Sequence, residues 1–395
     1  MIIGRRISGH LKKMLQKFPV VSLTGPRQSG KTTLLRSVFG DYKYYNLERI
    51  DIREMISSDP VGFLRGAGPG VIFDEAQNLP DIFSYIQVIS DEKRMNGQYI
   101  LSGSQSFLLN SHISQSLAGR VSVNMLLPFD VIELGVVDDF DPSRLIVNGF
   151  YPRIYDQHID PADFYPSYLQ TYIERDIRTL KAVENLQTFT RFIGLCAGRT
   201  GQVLNLSSLA NDAGIAVNTA KAWLSLLESS YIIYLLQPYY KNYSKRIIKS
   251  PKLYFYDTGV ASSLLRISDS HMISNHYLYG ALFENLVISE IIKTQLHKGE
   301  RPSVYYWRES NGTEIDCIIE GAGNRTDVLE IKSGQTFSED FLRNLARFPE
   351  TGDDRKVRKT VVYRGTESTT IRGINVLSWK DFTRKFLDPD FKAQL

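Results

Sequence analysis

Gly25-Pro26-Arg27-Gln28-Ser29-Gly30-Lys31-Thr32 is the stretch that decides the fold. It fits G-x-x-x-x-G-K-[ST], a loop whose residue types follow from what it holds. A chain of phosphates is densely negative. Such a loop answers with backbone N–H groups, and glycine lets that backbone come close. The flanks agree. Phe18-Pro19-Val20-Val21-Ser22-Leu23-Thr24 reads as a strand, and Lys31-Thr32-Thr33-Leu34-Leu35-Arg36-Ser37-Val38 reads as a helix whose positive dipole end faces the loop. Gly25, Pro26, Arg27, Gln28, Ser29, Gly30, Lys31, Thr32 and Thr33 are therefore the expected nucleotide-binding residues. Lys31 should reach the β- and γ-phosphates, and the Thr32 hydroxyl should hold magnesium.

Downstream, Gly70-Val71-Ile72-Phe73 is an apolar run that reads as a buried parallel strand, and Asp74-Glu75 end it. Asp74 is the second expected magnesium-holding group, acting through water. Glu75 is placed to polarise an attacking water. The plainer alternative is an acidic pair that merely ends a strand at the surface. A third strand runs from Gln98 to Gln105. Ser104 and Gln105 fall where a sensor would meet the γ-phosphate or the water, with Ser102 behind them; helix capping is the other reading of the serines. Ser116-Leu117-Ala118-Gly119-Arg120 then precedes a strand-like Val121 to Leu127. A planar guanidinium there suits transition-state charge, so Arg120 joins Glu75 and Ser104 as a catalytic candidate. An ordinary salt-bridged arginine is its alternative.

These residues resemble the AAA-type ATPases of the additional-strand P-loop class. More closely, they resemble the prokaryotic ATPase family in which such a domain precedes a C-terminal DUF4143 domain. The resemblance covers nearly the whole chain. It rests on Gly25 to Thr33, on V-I-F-D-E-A-Q (Val71 to Gln77), on L-S-G-S-Q (Leu101 to Gln105) and on S-L-A-G-R (Ser116 to Arg120). It also rests on Gly149-Phe150-Tyr151-Pro152 followed by Tyr172-Ile173-Glu174-Arg175-Asp176-Ile177. It implies a five-stranded parallel sheet flanked by helices. It further implies that Arg120, just before the fifth strand, serves the nucleotide of a neighbouring subunit, and hence a homo-oligomer.

Composition sets wider bounds. At 395 residues, 43% apolar and 23% charged, the chain is an ordinary globular protein of two or three domains. A net charge of +4 permits nucleic-acid contact without requiring it. The basic residues Lys241, Lys245, Arg246, Lys249 and Lys252 are interleaved with Tyr239, Tyr240 and Tyr243. Cys196 and Cys317 are the only cysteines, which argues against a disulfide framework and fits a reducing cytoplasm. No apolar run is long enough for a membrane span, and Met1 to Arg6 lead into no signal-like segment.

The expected layout is α/β: a P-loop, AAA-type parallel sheet over 1–137, a helical linker over 138–185, a winged helix over 186–260, and a restriction-endonuclease-like core over 261–395. Asp138-Asp139-Phe140-Asp141-Pro142 marks the first break. Pro166 to Leu180 reads as an amphipathic helix with Glu174, Arg175, Asp176 and Arg178 on a charged face. Leu206 to Ala213 and Val217 to Ser229, with Gly214 between them, read as a helix–turn–helix followed by strands. Asn218, Thr219 and Lys221 would head a recognition helix. The scarcity of basic residues there leaves a protein-contact module equally open.

The C-terminal region adds a constellation. Val304 to Arg308 and Glu314 to Ile319 read as strands joined by an Asn311-Gly312 turn, and Val328 to Gly334 holds a third. Asp316 and Glu330 can meet on neighbouring strands. Lys332, two residues after Glu330, shares its face. Carboxylates and a lysine so placed can hold magnesium or manganese and activate water against a phosphodiester. They resemble the PD-(D/E)xK nuclease core, with Glu284 on a preceding helix from about Gly280 to Gln295. The sequence thus predicts an ATPase whose nucleotide state controls a nuclease-like module acting on DNA or RNA. The rival is a nucleotide-dependent regulatory or scaffolding switch with an inert core and a protein partner.

Overall fold

The computed structural model describes all residues except 1–2, 105–112, 114–115, 136–140, 173–182, 184, 240–249, 310–311, 322, 324, 349–355 and 389–395. Gln105, the Glu174–Arg178 face, most of the basic stretch, Asn311 and the start of the Asp138–Pro142 break lie outside the described residues. The chain divides into two units. One is 1–129 with 229–231 and 295–300; the other is 130–228, 232–294 and 301–395.

The first unit is built on β1 (Val20–Thr24), β2 (Lys43–Asn46), β3 (Val71–Asp74), β4 (Tyr99–Gly103) and β5 (Val121–Met125). All pairings are parallel, in the order β2-β3-β4-β1-β5. Alternation explains why both faces are covered. Val71, Phe73, Tyr99 and Leu101 enter one core cluster, while Ile72, Ile100, Val21 and Leu23 enter another. Helices Ile7–Leu15 and Lys31–Val38 supply Ile7, Leu11, Leu34 and Leu35 to the second cluster; Ile82–Lys93 supplies Phe83 and Ile86 to the first.

In the second unit, the helix expected from Pro166 begins earlier, at Pro161, and is described to Tyr172 with Pro166 inside it. Pro161 suits a first helical position, and the Asp160 carboxylate accepts from the Ala162 N–H at 2.8 Å, so the start signal lies there. Helices Leu186–Ala197, Leu206–Ala213 and Val217–Ser229 follow. Asn205 caps the second of these through Ser208 N–H, and Gly214 ends it at φ 72°. β6 (Ile233–Leu236) and β7 (Lys252–Phe255) then pair antiparallel.

The helix Tyr279–His297 leads into a six-stranded mixed sheet: β8 (Val304–Arg308), β9 (Glu314–Gly321), β10 (Arg325–Lys332), β11 (Lys356–Tyr363), β12 (Thr369–Ile371) and β13 (Ile374–Ser378). Its order is β12-β13-β11-β10-β9-β8. β8, β9 and β10 are antiparallel, and β10 turns parallel to β11 after the short helix Arg343–Arg347. The path is therefore helix, three antiparallel strands, helix, parallel strand. No described helix is long and apolar enough to cross a membrane.

Candidate functional site

The phosphate loop leaves the C-terminal end of β1. Gly25 adopts φ 154°, and a Cβ there would lie 2.0 Å from the Leu126 carbonyl oxygen, so the close packing admits only glycine. Gly30, at φ 93°, caps the helix Lys31–Val38. The Lys31 side chain is buried, and its Nζ donates to the carbonyl oxygens of Gly25 at 2.8 Å and Pro26 at 2.9 Å.

Asp74 ends β3 beside this loop and gathers four donors. The Thr32 hydroxyl and the Tyr44 phenol each donate to Oδ2 at 2.6 Å. The Ser102 hydroxyl and the Glu75 N–H donate to Oδ1. Burial and the neighbouring Asp74 push the Tyr44 phenol up, so it stays a donor. The hydroxyl and carboxylate oxygens of Thr32 and Asp74 form the hard donor set that magnesium takes, and they fit that ion. Glu75 sits in the left-handed region at φ 54°, a conformation non-glycine residues keep where neighbours fix them. Its Oε2 accepts from Gln77 Nε2 at 2.5 Å and from the Ser104 hydroxyl and N–H at 3.0 and 3.3 Å. Ser104 thus holds Glu75.

Arg120 sits elsewhere. It immediately precedes β5, and the register Val20↔Val121 puts it at the N-terminal end of the sheet. The loop leaves the opposite end, roughly 16 Å away at about 3.3 Å per residue. There Arg120 forms a forked pair with Asp91, Nε to Oδ1 at 2.6 Å and Nη2 to Oδ2 at 2.9 Å. It does not meet its own chain's loop.

The C-terminal candidates converge. Asp316 lies on β9 one step beyond the Cys317–Leu329 pair, and its Oδ2 accepts from the Ile331 N–H at 2.8 Å. Glu330 Oε1 accepts from Lys332 Nζ at 2.6 Å and Asn344 Nδ2 at 3.1 Å. Glu330 Oε2 is buried with no hydrogen-bond partner among the described residues, on a residue 2% exposed. Glu284 projects from Tyr279–His297 into the same cluster. Burial and the charge of Asp316 push Glu284 and Glu330 each up to about 7, against the pull of Lys252 and Lys332 respectively.

Several participants were not assigned to these sites from the sequence, which placed Lys252 only in the basic stretch. Lys252, 2% exposed, contacts Glu284 at 3.1 Å and Glu314 at 2.5 Å, and the Tyr254 phenol donates to Glu284. A lysine and a tyrosine alternating in the apolar strand Lys252-Leu253-Tyr254-Phe255 were the available signal. Tyr44 carried none beyond its place on a strand. Cys196 and Cys317 are free, buried and raised by burial, Cys196 to about 12.

The sheet order, the glycine loop and the acidic end of β3 define an AAA-type P-loop ATPase domain. An AAA domain model matches residues 17–135, a domain of unknown function (DUF8612) matches 140–271, and a domain of unknown function (DUF4143) matches 279–382. The Mycobacterium tuberculosis protein Rv2008c is 32% identical over 342 residues, 85% of this chain and 75% of that protein. The chain therefore belongs to the family of ATPases that carry an AAA domain ahead of a DUF4143 domain. MJ1637 of Methanocaldococcus jannaschii is 25% identical over 202 residues, 49% of this chain and 41% of its own length. The Walker-type ATPase paby2304 of Pyrococcus abyssi aligns at a TM-score of 0.44 and 16% identity, over 67% of this chain and 96% of its own.

Proposed function

We propose that this protein binds ATP with magnesium, hydrolyses it, and uses the nucleotide state to control a nuclease-like C-terminal module. The loop from Gly25 to Thr33 binds the phosphates through its backbone and Lys31. Thr32 and Asp74 would hold magnesium, which supplies positive charge against the phosphates when bound. Tyr44 and Ser102 orient the Asp74 carboxylate. Glu75, held by Ser104 and Gln77, accepts the proton of the attacking water. Arg120 acts across a subunit boundary in a homo-oligomer, because its end of the sheet is remote from its own loop.

The observation that carries the second half is the buried, unpartnered Oε2 of Glu330 beside Asp316. A buried carboxylate oxygen without a donor is costly, and a divalent cation would answer it. The path of helix, three antiparallel strands, helix and parallel strand supports the nuclease-like reading. In it Asp316 and Glu330 hold magnesium or manganese, Glu284 adds a third carboxylate, and Lys332 keeps positive charge beside the phosphodiester. The helices Leu206–Ala213 and Val217–Ser229 with the β6–β7 pair are read as a winged helix, where exposed Asn218 and Lys221 could meet DNA or RNA. We read the domains as 1–137, 138–185, 186–260 and 261–395, and two buried free cysteines fit a reducing cytoplasm.

One observation favours the rival reading. Lys252 and Tyr254 already engage Glu284, and Lys332 and Asn344 engage Glu330 Oε1. Such internal compensation suits an inert core that acts through a protein partner. Two measurements test these readings. Lys31→Ala should weaken ATP binding about ten- to hundredfold by calorimetry, the loss typical of a charged hydrogen bond, and unchanged affinity removes the loop assignment. Manganese-dependent cleavage of DNA or RNA, controlled by ATP and abolished in Asp316→Asn, supports the module; no cleavage of either supports the switch.

A further inference from the structure

Arg5 lies ahead of the residues matched by the AAA domain model, and nothing in the motif points to it. Its side chain is nevertheless buried, at 8% exposure. Nη1 donates to the carbonyl oxygen of Ser29, inside the phosphate loop, at 2.7 Å. Nη2 donates to the carbonyl oxygen of Leu127 at 2.6 Å and approaches that of Pro128 at 3.5 Å. The guanidinium lies 4.8 Å from the centroid of the Phe129 ring. The Ser8 hydroxyl and N–H donate to the Arg5 carbonyl at 2.6 and 3.1 Å, which fixes the backbone that carries the side chain.

A buried cation needs hydrogen bonds to offset its desolvation. Ile7, Leu11 and Leu15 already bury the helix Ile7–Leu15 in the core. What the guanidinium fork does is join two backbone segments, the phosphate loop and the stretch after β5. Gly25 packs against the same stretch at Leu126. The Ser29 carbonyl and the Gly30 N–H belong to one planar trans peptide and point opposite ways. A cation on the carbonyl polarises that peptide and makes the N–H a stronger donor. We propose that Arg5 is a positioning residue for the nucleotide site: it clamps Ser29 against Leu127 and presets the loop for the triphosphate. The proposal rests on the nucleotide reading of the loop.

The test uses the full chain. MgATP affinity is measured by calorimetry, with a melting curve, for the parent, Arg5→Ala, Arg5→Lys and Lys31→Ala. Arg5→Ala should weaken MgATP about ten- to hundredfold. Arg5→Lys should melt with the parent yet weaken MgATP nearly as much, since one ammonium cannot reproduce a two-pronged fork. Millimolar guanidinium, far below denaturing concentrations, should restore part of the affinity of Arg5→Ala and none of that of Lys31→Ala. Parent-like affinity in Arg5→Lys overturns the proposal, and so does a loss in Arg5→Ala that guanidinium leaves untouched. If Arg5→Ala fails to fold, Arg5→Lys alone decides. Unchanged affinity in Lys31→Ala would instead remove the loop reading itself.

Discussion

Asp316→Asn should make the C-terminal region less sensitive to pH. The cluster sets four carboxylates, Glu284, Glu314, Asp316 and Glu330, against the ammonium groups of Lys252 and Lys332 and, at Glu314, the Arg308 guanidinium. Asp316 is the main negative charge acting on both raised glutamates. A carboxyl whose folded pKa exceeds its unfolded one keeps its proton longer in the folded chain. Its ionisation costs nothing below the unfolded value near 4.5, and the cost grows as pH rises to about 7. For each glutamate that difference is worth roughly 3 kcal/mol, the net of burial first and Asp316 second raising the group and its lysine lowering it. Removing the Asp316 charge should therefore return part of that cost at both groups. Asparagine keeps an oxygen for the Ile331 N–H, so the substitution removes charge and little else. The assay is urea unfolding without divalent ions at pH 5 and pH 8, followed by tryptophan fluorescence. Trp307 and Trp379, of three tryptophans, report on this region. The parent should lose more stability between the two pH values than the variant does, and groups elsewhere cancel in that comparison. Manganese at pH 8 should raise the parent's midpoint and leave the variant's unchanged. Parallel pH profiles would refute the charge-cluster account and leave Asp316 a structural anchor for β10.

At the ATPase site, Glu75→Gln should bind MgATP as the parent does while turnover falls about 10²–10⁴-fold, measured by phosphate release. Parent-rate hydrolysis would move the base elsewhere. Arg120→Ala should leave MgATP affinity intact and lower turnover, and mixing it with Lys31→Ala protein should recover activity, because one mixed interface keeps both groups. Absence of recovery in mixtures shown to co-assemble would confine Arg120 to its pair with Asp91.

What the sequence made legible was local. The loop, β3 and its acidic end were readable because an apolar run, a glycine pattern and a carboxylate follow one another along the chain. Glu330 and Lys332 were readable because a strand's period of two puts them on one face, and the β8–β9 turn carries Asp316 back toward them. Family resemblance implied five parallel strands, but the insertion of β4 between β1 and β3 was not read, since nothing in the apolar pattern of these strands orders them across a sheet. Pro166 misled because a proline at a plausible helix start outweighed Pro161 with its Asp160 cap, five residues earlier.

The larger omissions share one physical cause. Lys252 lies 32 residues before Glu284, and Tyr44 lies 30 before Asp74. Each matters through contacts made by tertiary packing, and no spacing rule reports them. Charge balance in a buried cluster is likewise a property of the assembled site. Read alone, Asp316, Glu330 and Glu284 call for a metal. Beside Lys252 and Lys332 they are partly satisfied by the protein itself, yet both glutamates remain raised and one oxygen of Glu330 has no donor among the described residues. Burial first, and Asp316 second, keep the glutamates raised even with the two lysines and, at Glu314, Arg308 beside the cluster. That buried, donor-free oxygen beside Asp316 is what separates a core able to take up a cation from a fully paired structural network, and it is a property of the assembled cluster rather than of any one motif residue.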